Sequence, residues 1–334
     1  MVTRTRLDID VSTAAPPGAR RVAVEIVAPE PGRLADPPVA VSCLPGGGMT
    51  RRYFDLQVDP AYAAVHGGYS MAEHLAEAGL VVVLVDHPAV GDSDVPDDPY
   101  LLTPDTVADV DAEAVATVLA GLRAGVLVEG LGPLPGLASV GLGHSAGAMV
   151  TVHLQARHGT HGALCLLGYS AHGLVSALSD EAKAYVGDTE GLRAALPGLV
   201  RNQWKTALWE MPRGGSTLLV AGEMADPVRA AIVACRTPLL ALVGLSSMVP
   251  GSSADRLAAV DVPVFVGVGS LDIAGAAHTI PAAFEASHDV TLYVLEGSGH
   301  NHNVDPGRRL LWDRVVAWVR ALDLGPHAAG TLRR

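Results

Sequence analysis

Aromatic residues are scarce in this chain, 4% of 334 positions, so any sizeable interior must be filled by Ala, Val and Leu. With 49% of residues apolar, the composition is that of a folded globule and excludes a disordered chain. Lys and Arg are also few, 23 against 35 Asp and Glu, leaving a net charge of −12. No basic cluster stands out, and a nucleic-acid partner is therefore not expected. Cysteine is limited to Cys43, Cys165 and Cys235. That odd count, at spacings matching no zinc or redox motif, reads as buried thiols in a reducing compartment. The first ten residues carry Arg4, Arg6, Asp8 and Asp10 and lack the apolar core of a secretory signal. A long unbroken apolar run is missing too. The most lipophilic stretch, 230–249, is interrupted by Arg236 and Pro238 and reads as a buried or lid helix, not a membrane span. The expectation is a cytoplasmic protein with no membrane span, for which a homodimer stays open.

What the chain does have is alternation. Segments 7–11 and 21–27 read as a strand pair around the turn Pro16-Pro17-Gly18. Segments 39–44, 80–85, 137–142, 162–167 and 262–268 are apolar on both faces, as strands of a parallel sheet are. Between them lie helical signals: a capping box at Ser70-Met71-Ala72-Glu73, Thr103-Pro104 opening a helix to about Arg123, and a run from Ala148 to about His158. A helix around 280–287, a strand at 290–295 and a final helix at 308–322 complete the series. The acidic residues of loop 89–100, Asp92, Asp94, Asp97 and Asp98, lack the glycine and glutamate of a calcium loop and read as a solvated turn. From 174 to 259 the alternation stops. This predicts an α/β fold with a mostly parallel central sheet and helices on both faces. The core is expected at 1–173 and 260–334, with a mainly helical cap at 174–259 inserted between strands six and seven.

In such sheets ligands sit beyond the carboxyl ends of the strands. This chain places Gly46 to Gly48, Asp86, His87, Ser145, Tyr169, Asp272 and His300 there. Ser145 stands in Gly143-His144-Ser145-Ala146-Gly147, a G-x-S-x-G turn from strand to helix. Strand and helix backbones nearly touch in that turn, and glycine on either side is what the approach requires. A serine hydroxyl needs a base to share its proton, and the imidazole in turn needs a carboxylate to hold its tautomer. His300 and Asp272 supply those groups, with His302 a rival base. Backbone donors for an oxyanion are the N–H of Ala146 and one from the glycine run. His144 reads as a packing and hydrogen-bonding residue; with Met49, Tyr169, Trp204, Trp209 and Met224 it is also a candidate for contact with substrate.

The same turn reads Gly141-x-Gly143-x-x-Ala146, a dinucleotide fingerprint. That motif wants an acidic residue about twenty positions on, where the chain has Leu164-Cys165-Leu166-Leu167-Gly168. His300-x-His302 and the pair His158 and His161 lack a convincing third metal ligand. No metal and no cofactor are expected.

Taken together, these motifs resemble an α/β-hydrolase fold serine hydrolase of the esterase type, from about Arg21 to the C-terminal helix. The resemblance rests on nucleophile, acid and histidine in the order Ser145, Asp272, His300, and on Gly269-Ser270-Leu271-Asp272, Gly297-Ser298-Gly299-His300 and Asp86-His87-Pro88 with Gly91-Asp92-Ser93. Many relatives carry His-Gly after the third strand, whereas this chain has Pro45-Gly46-Gly47-Gly48. That is similar to the triple-glycine oxyanion loop and implies Gly47 as donor, with Gly46 or Gly48 as alternatives, and room for bulky esters. The implied activity is cleavage of a carboxylic ester of a lipophilic or bulky small molecule through an acyl-enzyme. Thioesterase, lactonase, acyltransferase and C–C bond hydrolase chemistry use the same triad, and a non-catalytic binding protein on this fold is the other class.

Overall fold

The computed structural model describes residues 2–212 and 219–324. Its main sheet has eight strands: β1 (Val2–Asp10), β2 (Arg21–Pro29), β3 (Val39–Leu44), β4 (Val81–Val85), β5 (Ala138–His144), β6 (Ala163–Leu167), β7 (Val264–Gly269) and β8 (Val290–Leu295). They lie in the order β1-β2-β4-β3-β5-β6-β7-β8. The first two are antiparallel to their neighbours, and β3 to β8 run parallel. The chain therefore enters as a hairpin and then winds as an α/β sheet.

The inner strands are apolar on both faces because both are covered. Along β4, Val81, Val83 and Val85 enter the core on one side while Val82 and Leu84 enter the other. Helices α1 (Met71–Glu77), α2 (Pro104–Ala124), α3 (Ala146–His158) and α7 (Arg308–Ala321) supply the cover. Strand β5 presents Ser139, Gly141 and Gly143 towards α3, and a side chain on Gly143 would collide with the backbone of Ala148. Small residues there let α3 approach the sheet at the point where Ser145 ends the strand. Helix α2 starts on Thr103, whose hydroxyl accepts from the Thr106 N–H at 3.2 Å, and ends on left-handed Gly125.

Two expectations need correction. The capping box of α1 is only half formed: Ser70 Oγ accepts from the Glu73 N–H at 2.9 Å, but the Glu73 carboxylate is taken by Arg4 at 2.6 Å. The ion pair with a distant strand replaces the local bond. The expected helix at 280–287 is a 3₁₀ turn, Ala277–Ala283, because Pro281 removes a donor and disfavours an α-helical interior. The acidic loop is solvated, with Asp92, Asp97 and Asp98 exposed, and it also holds two ion pairs, Asp92 with Arg51 at 2.9 Å and Asp94 with Arg21 at 3.0 Å.

Between β6 and β7 the described residues form α4 (Thr189–Gln203), α5 (Asp226–Val233) and α6 (Ala241–Met248), with shorter turns. The lipophilic run 230–249 is split between α5 and α6. Leu239–Leu240 of that break pair antiparallel with Leu208–Trp209. Leu192, Leu196, Leu199 and Val200 of α4 pack with Ala241, Leu242 and Leu245 of α6 in a small core of their own. Among the described residues no helix is long and apolar enough to cross a membrane. The three cysteines are buried and unbridged.

Two buried histidines, His161 and His144, make the fold acid-sensitive. His161, whose Nδ1 lies 2.7 Å from Ser139 Oγ, is pushed down to about 3 by burial. Burial and the nearby His300 and His302 hold His144 well below the ordinary histidine range. An imidazole that protonates at about 6.5 when unfolded, but resists protonation when folded, favours the unfolded chain in acid. Stability is therefore expected to fall as pH drops below about 6.5, by about 1.4 kcal/mol per pH unit for each such group. For His161 this loss continues to about 3. Urea midpoints at successive pH values measure it, and His161→Gln should make the decline shallower. A wild-type midpoint that stays level from neutral pH to about 5 would contradict this reading.

Candidate active site

The turn between β5 and α3 holds Ser145 at φ 54° and ψ −123°, a backbone region that costs a residue with a Cβ of order 1–3 kcal/mol. The strain persists because both neighbours are fixed. The Ser145 N–H donates to the Leu167 carbonyl at 2.8 Å, and the Ser145 carbonyl accepts from Ala148 and Met149. A Cβ on Gly147 would strike the Leu44 and Pro45 carbonyls. The hydroxyl is thereby held above the sheet at the start of α3.

His300 and Asp272 come from the loops after β8 and β7. Ser145 Oγ lies 2.8 Å from His300 Nε2, and His300 Nδ1 lies 2.7 Å from Asp272 Oδ1. The three residues named from sequence are thus brought into one hydrogen-bonded chain. Asp272 Oδ1 also accepts from the Ala274 N–H at 3.0 Å, and Oδ2 faces His302 Nε2 at 3.0 Å. Burial alone would raise this carboxyl, but the bonds from His300 and His302 outweigh it and hold it far below the usual carboxylate range. His302 was a rival for the base, yet its Nε2 is spent on Asp272, so it braces the oxygen that His300 leaves unused. Asp272→Asn is expected to lower kcat by about 10³–10⁴-fold with little change in KM. The amide can turn its NH₂ toward His302 and keep an acceptor for His300, but the charge that stabilises an imidazolium is gone. Steady-state kinetics on one ester substrate checks this.

The glycine loop lies opposite Ala146. Gly46 and Gly47 line the cavity above Ser145, and Gly48 does not. Gly48 has φ 75°, and its carbonyl accepts from the Thr237 N–H at 3.0 Å, so it is tied to the segment before Leu239. The Ala146 N–H, first in α3, has no carbonyl one turn back to bond. One clasp was not legible in sequence. His87, buried after β4, has Nδ1 2.5 Å from Asp111 of α2 and Nε2 3.0 Å from the Pro45 carbonyl. Both ring nitrogens face acceptors. Burial would depress this imidazole, but Asp111 outweighs it and raises it. The Pro45–Gly46 peptide is oriented by that bond.

His144 lines the cavity, but its Nε2 donates to the His300 carbonyl at 2.9 Å and its ring stacks on Tyr53 at 4.6 Å. It supports the backbone of His300. Leu219 does so from the other side, its carbonyl accepting from the N–H of His300 at 2.8 Å and of Asn301 at 3.2 Å. Met49 and Tyr169 also line the cavity, with Leu174, Met211, Leu239, Met248 and Ile273. Burial pushes the Tyr169 phenol up to about 12, against a hydrogen bond with Ser253 that lowers it. Three candidate contacts are corrected. Trp204 and Trp209 stack on each other at 5.2 Å beside the α4 and α6 core. Met224 packs under Tyr69 and Val228 in a separate crevice. Trp204 and Trp209 thus serve the α4 and α6 core, while Met224 joins the core on the α1 side of the sheet.

A second Ser-His-Asp geometry sharpens the point. Ser253 Oγ is 2.8 Å from His153 Nε2, and His153 Nδ1 is 2.7 Å from Asp105. Ser253 is 2% exposed and bonded to Tyr169, while Asp105 is shared with Arg157 and Arg256. That chain ties α2, α3 and the segment before β7 together; His153 and Asp105 border a separate cavity of about 110 Å³, but Ser253 does not line it. Matching distances alone do not make a nucleophile.

An α/β sheet wound in this order, with a serine at the β5 turn and an imidazole after the last strand, defines the α/β-hydrolase architecture. The sequence profile of the alpha/beta hydrolase family matches residues 43–311, and the chain belongs to that family. No curated protein sequence matches the chain. Solved structures similar to it include a thermostable carboxyl esterase from Bacillus coagulans in complex with glycerol, 18% identical, TM-score 0.62, covering 96% of this chain and 99% of that one. An esterase from Exiguobacterium antarcticum is 17% identical, TM-score 0.60, with 92% and 100% covered. A proline iminopeptidase from Mycobacterium smegmatis is 18% identical, TM-score 0.58, with 95% and 98% covered. These likenesses concern the fold.

Proposed function

We propose that the protein is a serine hydrolase that cleaves a carboxylic ester of a small, neutral, lipophilic molecule through an acyl-enzyme. The observation that carries the reading is the Ser145-His300-Asp272 chain, at 2.8 and 2.7 Å, at the floor of an apolar cavity. Ser145 Oγ attacks the ester carbonyl and gives its proton to His300 Nε2. The N–H groups of Ala146 and of Gly47 or Gly46 receive the oxyanion. His300 returns the proton to the departing alkoxide, and water, deprotonated by the same imidazole, then releases the acid.

The cavity wall supports a neutral substrate. Among its described lining residues there is no Asp, Glu, Lys or Arg. A substrate with a free amine or carboxylate beside the scissile bond would be desolvated there without a partner. This disfavours aminopeptidase chemistry, although an iminopeptidase shares the fold. The volume, about 200 Å³, is below the roughly 300–1,000 Å³ of sites that enclose drug-sized ligands. It favours a small acyl group over the bulky one that the glycine run suggests. Cytoplasmic action without metal or cofactor fits this chemistry. A panel of nitrophenyl esters from acetyl to dodecanoyl, with fluorophosphonate labelling of Ser145, tests the proposal. Turnover should be greatest at the short end, and neither turnover nor labelling would sink it.

A further inference from the structure

The strand β1 is an edge of an unusual kind. It pairs with β2 without a break from Val2 opposite Pro29 to Asp10 opposite Arg21, and among the described residues no strand lies on its other side. Nine residues with no Pro, Gly or bulge leave a row of backbone donors and acceptors open to another strand. The side chains alternate: Leu7 and Ile9 turn to the core, while Arg4, Arg6, Asp8 and Asp10 share the opposite face.

From this geometry we infer that β1 is a homodimer interface, at which two copies join antiparallel about a twofold axis at Leu7 to continue the sheet. In that register Arg6 of each copy stands opposite Asp8 of the other, and Arg4 opposite Asp10, with Leu7 on Leu7. The same-face alternatives fail: shifting the axis to Arg6 sets two arginines opposite each other, and shifting it to Asp8 sets two aspartates. A one-residue slip instead opposes core-facing and solvent-facing positions. The charge pattern therefore selects a single pairing, and the partner it fits is a second copy of this chain. The central pairs are available, since the Arg6 and Asp8 side chains are 73% and 58% exposed, with Glu25 at 3.5 Å and Arg21 at 3.2 Å as their present neighbours. Arg4 is already engaged by Asp55 and Glu73, so Arg6 and Asp8 carry the selection. The strand also suits a chain with net charge −12. Its two positive and two negative residues sum to zero, so the strand itself adds no net repulsion between two copies. The opposite edge, β8, has no charged residue and no such register.

Sedimentation of the whole chain over the micromolar range tests this. We expect a concentration-dependent dimer, weakened by salt. Arg6→Asp and Asp8→Arg should each weaken it at least about tenfold, and the double exchange Arg6→Asp with Asp8→Arg should restore it. Circular dichroism and thermal melting report whether each variant is folded. A monomer at every concentration overturns the proposal. So does a dimer indifferent to either reversal, which would lie on another face such as β8, or a folded double variant that stays monomeric.

Discussion

Ser145→Ala is expected to lower ester turnover by about 10⁴–10⁶-fold while leaving the fold and the binding of a non-reactive ester analogue intact. The size follows from what is removed. No other hydroxyl is held 2.8 Å from His300 Nε2 among the described residues, and the residual rate is that of water in a site that still has its backbone donors. Alanine keeps the Cβ and therefore the strain at φ 54°, so the melting temperature should move little. Ser145→Gly makes the complementary point: equally inactive, it should be more stable than Ser145→Ala by about 1 kcal/mol, because glycine adopts that backbone without cost. Single-turnover kinetics and thermal melts on the two variants measure both effects. Retention of most of the activity by either would remove Ser145 from the mechanism.

The second large effect separates two histidines only two residues apart. His300→Ala should cost about 10⁴-fold or more in kcat, since the proton of Ser145 then has no acceptor. His302→Ala should leave activity within about tenfold, the lower end of what one hydrogen bond to a charged group contributes. His302 Nε2 is 3.0 Å from Asp272 Oδ2, so it steadies the carboxylate and does not face the serine. The reverse ranking would make His302 the base. The pH profile checks the same assignment. Asp272 is held far below its ordinary value, so it stays ionised and adds no limb of its own in the working range. A limb in kcat/KM in the ordinary carboxylate range, about pH 4, that vanishes in Asp272→Asn would contradict this assignment.

Much of this molecule can be read along the chain, wherever the determining contact is local. The doubly apolar runs at 81–85 and 163–167 announce buried parallel strands because every residue of each is covered. Gly143 and Gly147 mark the turn at Ser145 because the collisions they avoid lie in the adjoining strand and helix. What escaped were contacts between distant segments. His87 meets Asp111 and the Pro45 carbonyl, and His302 meets Asp272, and no spacing rule links those positions. The break of the 230–249 run was marked locally by Pro238, but the retreat of Trp204, Trp209 and Met224 from the cavity had no local signal.

The sequence by itself determined the order of strands and helices, the strained turn and the three side chains at the strand ends. Short-range sterics and the periodicity of burial specify those directly. Only the tertiary structure decided which imidazole faces Ser145, which glycines line the cavity, and that Ser253 is buried away from the cavity that His153 and Asp105 border. Each of these depends on distance and access between segments far apart in the chain. Those quantities exist only once the sheet has closed around them.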